Sequence, residues 1–171
     1  MVDLDDANTI RAGVFGVQDG IVSTFGLVMG VAGAQVSPEA ILIAGLAGAF
    51  SGAVSMGAGE YVSVRVQHEL IAARGVTDGA NVHPTRAAAA NAGLFVLGAA
   101  FPLAPFLALE GLAAVVVSAL LSAGSLFATG ALLTRLTRRP PWASGLRMLL
   151  IGGGAGVLGY LVGSLLGVAV G

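Results

Sequence analysis

Residues 39–64 read EAILIAGLAGAFSGAVSMGAGEYVSV, and between Ala40 and Val64 the only charged side chain is Glu60. Crossing a hydrocarbon core of about 30 Å takes roughly 20 mostly apolar residues, and this stretch supplies them. Its flanks carry helix signals. Ser37 stands at the N-cap position, Pro38 at the first helical position and Glu39 in the first turn. Beyond Val64 no breaker appears until about Ala73, so the helix is expected to extend for some 50 Å at about 1.5 Å per residue. Its last turns, with Arg65, Gln67, His68 and Glu69, should leave the membrane on one side. The plain reading of those charges is a solvated helix end.

Working outward, four more stretches meet the same length and polarity test: about 11–34, 86–108, 111–134 and 143–169. The fold class is therefore an all-α membrane protein, a single transmembrane domain over residues 1–171 with five spans. Glu110-Gly111 makes the tight turn between spans three and four, and Pro140-Pro141 stops one element and opens the last helix. The one sizeable polar loop, about 70–84, contains the turn residues Asp78-Gly79-Ala80-Asn81. No internal repeat is visible.

Composition agrees. Hydrophobic residues make up 56% and charged residues 10%, and the mean hydropathy is +0.92; a soluble domain carries about 25% charged residues. A net charge of −1 speaks against a nucleic-acid partner, which requires a basic face. With no cysteine, disulfides and zinc-thiolate sites are excluded. The first charges are Asp3, Asp5 and Asp6, whereas a cleavable signal opens with a basic region, so span one is expected to be permanent. All eight basic residues are arginine. This bias suggests a GC-rich bacterial genome, and with it the bacterial cell (inner) membrane; in a eukaryote the membrane would be of vacuolar type.

The arginines also give orientation. Arg11 precedes span one, Arg65, Arg74 and Arg86 surround the second connection, and Arg135, Arg138, Arg139 and Arg147 surround the fourth. Connections one and three hold only Glu39 and Glu110. By the positive-inside rule the arginine side is cytoplasmic, which puts the amino terminus in the cytoplasm and the carboxyl terminus outside.

Ionisable side chains within spans are costly and mark ion or substrate pathways. Asp19 lies about 12 Å beyond Arg11, and Glu60 about 8 Å before Arg65, measured along the helices, so both enter from the same side. Asp19, Ser23, Gly26 and Gly30 follow one stripe, and Gly52, Met56, Glu60, Ser63 and Gln67 another. Asn91, five residues after Arg86, reaches similar depth. Carboxylate, amide and hydroxyl oxygens suit Fe(II) and Mn(II), and a thioether disfavours Mg and Ca. The metal-ligand candidates are thus Asp19, Met56 and Glu60, with Ser23, Asn91, Ser63 and Gln67 as candidate pathway-lining residues. A plainer role is open to the acids: pairing with Arg11 or Arg65 near the interface.

Glycines recur four residues apart at Gly26/Gly30, Gly48/Gly52, Gly152/Gly156 and Gly159/Gly163/Gly167. Such stripes let helix backbones approach closely in lipid, within one subunit or between two. A parallel homodimer is expected, with helix one near its two-fold axis. Pro102 and Pro105 free backbone carbonyls at membrane depth, as a packing kink or as a hinge.

The same residues carry a resemblance. Arg11-Ala-Gly-Val-Phe-Gly-Val-Gln-Asp19-Gly-Ile-Val-Ser-Thr and Gly52-Ala-Val-Ser-Met56-Gly-Ala-Gly-Glu60-Tyr-Val-Ser-Val resemble the first- and second-helix motifs of the vacuolar iron transporter family. Pro84-Thr-Arg-Ala-Ala-Ala-Ala-Asn-Ala and Leu146-Arg-Met-Leu-Leu-Ile-Gly-Gly look like its third- and fifth-helix openings. The family includes yeast and plant iron/manganese transporters and bacterial relatives, and the similarity runs in order along nearly the whole chain. It implies a five-helix homodimer exporting Fe(II) or Mn(II) from the cytoplasm in exchange for protons, by a path between subunits. The family's first-helix aspartate falls on Asp19 and its second-helix methionine on Met56.

Two departures stand out. Some members carry a pathway glutamate where this chain has Gly48. Well-understood members also insert a glutamate-rich cytoplasmic domain between helices two and three. Here only a short stretch follows Glu69 up to Pro84, with His68, Glu69, Asp78 and His83 as candidate ligands.

The leading expectation is a proton-coupled exporter of Fe(II) and/or Mn(II), with the metal as substrate, H+ as coupling ion and no permanently bound cofactor. Its partners are the lipid bilayer, a second copy of itself and the divalent ion. Alternatives are a proton-coupled carrier of another cation or small amine, and a membrane scaffold without transport. No nucleophile–base pair, phosphate loop or closed metal motif suggests an enzyme.

Overall fold

Why the chain forms long helices is visible at their ends. A computed structural model describes residues 4–75, 82–137 and 140–170, and contains no strand among them. It has five helices long and apolar enough to cross a membrane: α1 Leu4–Gly33, α2 Pro38–Ala73, α3 Pro84–Leu103, α4 Gly111–Thr137 and α5 Pro141–Val170. Ser37 Oγ accepts the Ala40 N–H at 3.3 Å and Pro38 opens α2, as the sequence leads one to expect. Gln35 takes φ 57° and Gly111 φ 57° at the two turns on the far side from the arginines. The α2 helix runs to Ala73, as expected, while α1 begins earlier than the apolar stretch does, at Leu4. The turn expected at Asp78–Asn81 lies outside the described residues.

Helix directions follow from their contacts. Along α1, Gly16 lies on the Asn91 backbone and Gly20 on that of Phe95, so α1 and α3 are parallel. Gly26 and Gly30 meet Ala155 and Gly159, so α5 is parallel to them too. Val28 against Gly45 and Arg11 on Glu60 make α2 antiparallel, and Gly152 against Leu126 with Gly130 against Ser144 does the same for α4 and α5. The starts of α1, α3 and α5 and the ends of α2 and α4 therefore share one end of the bundle. Arg11, Arg65, Arg74, Arg86, Arg135 and Arg147 all belong to that end, and Glu39 and Glu110 to the other.

α1 sits centrally, packed hardest on α3 and α5. The reason is small residues facing backbone. A methyl group at Gly16 would overlap the Asn91 carbonyl, and one at Gly163 the Gly30 carbonyl, which is the close approach that stabilises helix pairs in lipid. The Gly26/Gly30 stripe, expected beside a two-fold axis, is covered by α5 of the same chain. Gly152 and Gly156 act differently: they make room for the Leu126 and Phe25 side chains.

The larger core cluster gathers Phe25, Val28, Met29, Ile41, Leu103 and Phe106 toward the end away from the arginines. A smaller one, Ala12, Val64 and Ala87, lies near the arginine end. There Arg86 clamps the start of α1, with Nη1 to Asp5 Oδ2 at 2.8 Å and Nη2 to Asp6 Oδ1 at 3.0 Å, while the His83 N–H donates to Asp5 Oδ1 at 2.8 Å. Pro102 stays within α3, which then tightens into a 3-10 turn over Ala104–Leu107. Ser118 Oγ donates to the Pro102 carbonyl at 2.7 Å, so this irregular backbone is satisfied by packing on α4. Large apolar side chains such as Ile43, Val54, Leu112, Leu165 and Val168 point outward, as a lipid-facing surface requires.

Candidate functional site

Where α1 faces α2 the packing is loose, and a cavity of about 230 Å³ opens. Asp19, Ser23 and Thr24 line it from α1, and Ser55 and Met56 from α2. Gly48 and Gly52 also line it, and Phe95 of α3 forms part of the wall. Asp19 is half-buried and has no ion-pair or hydrogen-bond partner for its carboxylate among the described residues. Ser23 Oγ donates to the Asp19 main-chain carbonyl at 2.6 Å, which leaves the hydroxyl's lone pairs available. The donor set is thus one carboxylate, three hydroxyls and one thioether, a mixture suited to a divalent transition metal.

Glu60 does not line this cavity. It lies one turn closer to the arginine end than Met56, is buried at 8% side-chain exposure, and accepts from Arg11 Nη2 at 2.6 Å. Arg11 itself is 58% exposed and is steadied by Asn8 Oδ1 at 3.1 and 3.2 Å. The plainer role open to Glu60, pairing with Arg11, is the one adopted here, whereas Asp19 has no such partner among the described residues. Ser63 and Gln67 fall on the exposed face of α2, away from the cavity. Asn91 is fully buried behind it, with neither carboxamide atom partnered among the described residues; such an unpaired buried group costs about 1–3 kcal/mol.

The loop candidates do not assemble. Glu69 pairs with Arg65 at 3.9 Å in solvent, His83 contributes its backbone N–H to Asp5, and Asp78 lies outside the described residues. Among the described residues no group of three or more His, Cys, Asp or Glu gathers. Sequence reasoning missed Thr24 and Ser55. The spacing of Gly48, Gly52 and Ser55, which share a face at i, i+4 and i+7, could have pointed to the latter.

Five apolar helices, with a carboxylate and a thioether sharing a cavity between α1 and α2, define an integral membrane protein with a polar site in its spanning region. Residues 10–77 and 74–164 match the VIT family, and the chain belongs to that family. Vacuolar iron transporter homolog 5 of Oryza sativa subsp. japonica is 42% identical over 105 residues, 57% of this chain and 50% of the relative. Vacuolar iron transporter homolog 2 of Arabidopsis thaliana is 40% identical over 100 residues, covering 55% and 51%. The chain spans about half the length of these curated relatives. Being plant proteins named as vacuolar, they lend no support to the bacterial inner membrane expected from composition.

Proposed function

We propose that this protein exports Fe(II) or Mn(II) from the cytoplasm in exchange for protons, and that it does so as a homodimer. The observation carrying this reading is the Asp19 carboxylate, without a partner among the described residues, sharing one cavity with the Met56 thioether. A carboxylate must be ionised to coordinate, so metal loading releases a proton wherever that group was protonated beforehand. Alternating exposure of Asp19 to the two sides then couples metal leaving to proton return. The relatives, named vacuolar iron transporter homologs, point to the same substrate class, and the arginine-bearing end fits the cytoplasmic side.

One chain offers too few strong donors to close a coordination sphere, and the cavity opens between α1 and α2 on the surface of the bundle. A second copy facing this cleft would bring a second Asp19 and Met56. A carrier of small amines would use the carboxylate alone, and the thioether argues for metal instead. The deciding experiment loads the purified protein into liposomes and follows Fe(II) and Mn(II) flux with and without a pH gradient. Flux of either metal that drives opposite proton movement is expected. Proton flux without metal dependence, or none of either, would sink the proposal.

A further inference from the structure

Resting on the proposed function, a second role can be assigned at the arginine end of the same cleft. Arg11 and Asp19 lie two turns apart along one face of α1, and Glu60 lies one turn beyond Met56 on α2. The Arg11–Glu60 ion pair therefore bridges the two helices between the cavity and the arginine-bearing end. Its two partners are unequal. Glu60 is buried, and a buried carboxylate without a counter-charge is costly. Arg11 is mostly exposed and, among the described residues, held otherwise only by Asn8, so it can withdraw into solvent at little cost. While ionised, Glu60 thus needs a cation beside it, but not this particular one.

We propose that Arg11 is a tethered cation that holds Glu60 until an incoming divalent ion displaces it, making Glu60 a first contact at the cytoplasmic mouth rather than a member of the Asp19–Met56 site. Arg11 is then a specificity-setting residue. It competes with the metal for one carboxylate, and monovalent ions, with half the charge, displace it less well.

The absence of cysteine in the chain provides a clean test. Arg11→Cys is the sole thiol, and full-length protein in liposomes can be assayed for Mn(II) uptake from the arginine-bearing face before and after reaction. Removing the guanidinium should lower the KM for Mn(II) about threefold or more, the scale on which a half-exposed ion pair competes. Reaction with a cationic thiol reagent should restore the wild-type KM, and an anionic reagent of the same size should not. In the Glu60→Gln background the Arg11→Cys effect on KM should disappear. Arg11→Lys, which keeps the charge on a different donor, should hold the KM closer to the wild-type value than Arg11→Cys does. An unchanged or raised KM in Arg11→Cys, equal effects of the two reagents, or the same drop in the Glu60→Gln background would each overturn the inference. Those outcomes with wild-type transport intact sink only the role of Arg11; loss of metal transport in the wild type would instead sink the function it rests on.

Discussion

α1 is bordered by two regions built from the same small residues to opposite ends. On one side its Gly26 and Gly30 meet Ala155, Gly159 and Gly163 of α5, backbone against backbone. On the other side Gly48 and Gly52 of α2 line the cavity, with the Leu27 side chain of α1 and the Phe95 ring of α3 as their nearest neighbours. In the seam, the missing Cβ atoms bring helix backbones together; beside the cleft, they make room for the Leu27 and Phe95 side chains. Glycine spacing alone does not distinguish the two, because the outcome depends on what stands opposite. The bundle thereby gains a fixed wall formed by α1, α3 and α5 and a looser one in α2, whose tail carries Arg65 and Glu69 into solvent.

The largest effect should come from breaking the seam. Gly163→Leu places a side chain where the Gly30 backbone already lies, and neither helix backbone can yield. Overpacking on this scale should cost about 3 kcal/mol or more. The expected result is loss of the folded species on size-exclusion chromatography from mild detergent. A monodisperse protein of wild-type thermal stability would show that the seam is not rigid.

In the cleft, the equivalent blow should spare folding and remove function. Asp19 has no partner to lose among the described residues, so Asp19→Asn should leave thermal stability near that of the wild type. Metal flux should fall to background and metal-driven proton movement should vanish. Direct binding gives the sign: if loading displaces protons, Mn(II) binding to the wild type tightens as pH rises, and Asp19→Asn should lose that dependence. Normal flux with normal pH dependence in this variant would end the carboxylate mechanism.

The contrast also explains how much was legible in the sequence. Five spans could be read because length and apolarity are local properties, and because Ser37-Pro38, Glu110-Gly111 and Pro140-Pro141 mark boundaries by their own backbone chemistry. Stripe and depth pair Asp19 with Glu60 and bring in Met56 only through Glu60, one turn away, whereas the structure puts Met56 with Asp19 in the cavity and leaves Glu60 outside its lining. Glu60 shares the Met56 stripe, yet the reach of Arg11 from the neighbouring helix decided its partner. Stripe arithmetic follows one line down a helix, whereas a cavity between two helices takes adjacent positions from each. Hence Ser23 brought Thr24 with it, and Met56 brought Ser55. The partner of the Gly26 stripe could not be read either, since nothing in α1 says whether α5 of the same chain or a second copy will cover it.

A smaller and more selective effect is expected at Met56. Met56→Leu keeps the bulk and the half-buried packing of the side chain but removes the sulfur. Soft-ligand preference should weaken while the carboxylate's proton exchange persists. In competition assays the Fe(II)-to-Mn(II) flux ratio should shift severalfold, with the number of protons moved per ion unchanged. An unchanged ratio would make Met56 a packing residue, and the cleft would then owe its metal preference to oxygen donors alone.

The mildest change tests whether space itself matters in the cleft. Gly48→Ala adds one methyl, and the atoms nearest to it belong to the flexible Leu27 side chain, itself partly exposed. A rotamer change in Leu27 relieves the contact, something no backbone carbonyl in the α5 seam can do. Alanine is also the better helix former by about 1 kcal/mol in water, which offsets part of the cost of moving Leu27. Thermal stability should therefore stay within about 1 kcal/mol of the wild type. The methyl does enter the cavity that Asp19 and Met56 share, so metal flux should fall modestly while the pH dependence of binding is retained. Stability measured by thermal unfolding and flux measured in the same liposome preparation separate the two quantities. If Gly48→Ala unfolds the protein as Gly163→Leu is expected to, then the α1–α2 face is packed as tightly as the seam, and a binding cavity there loses its physical basis.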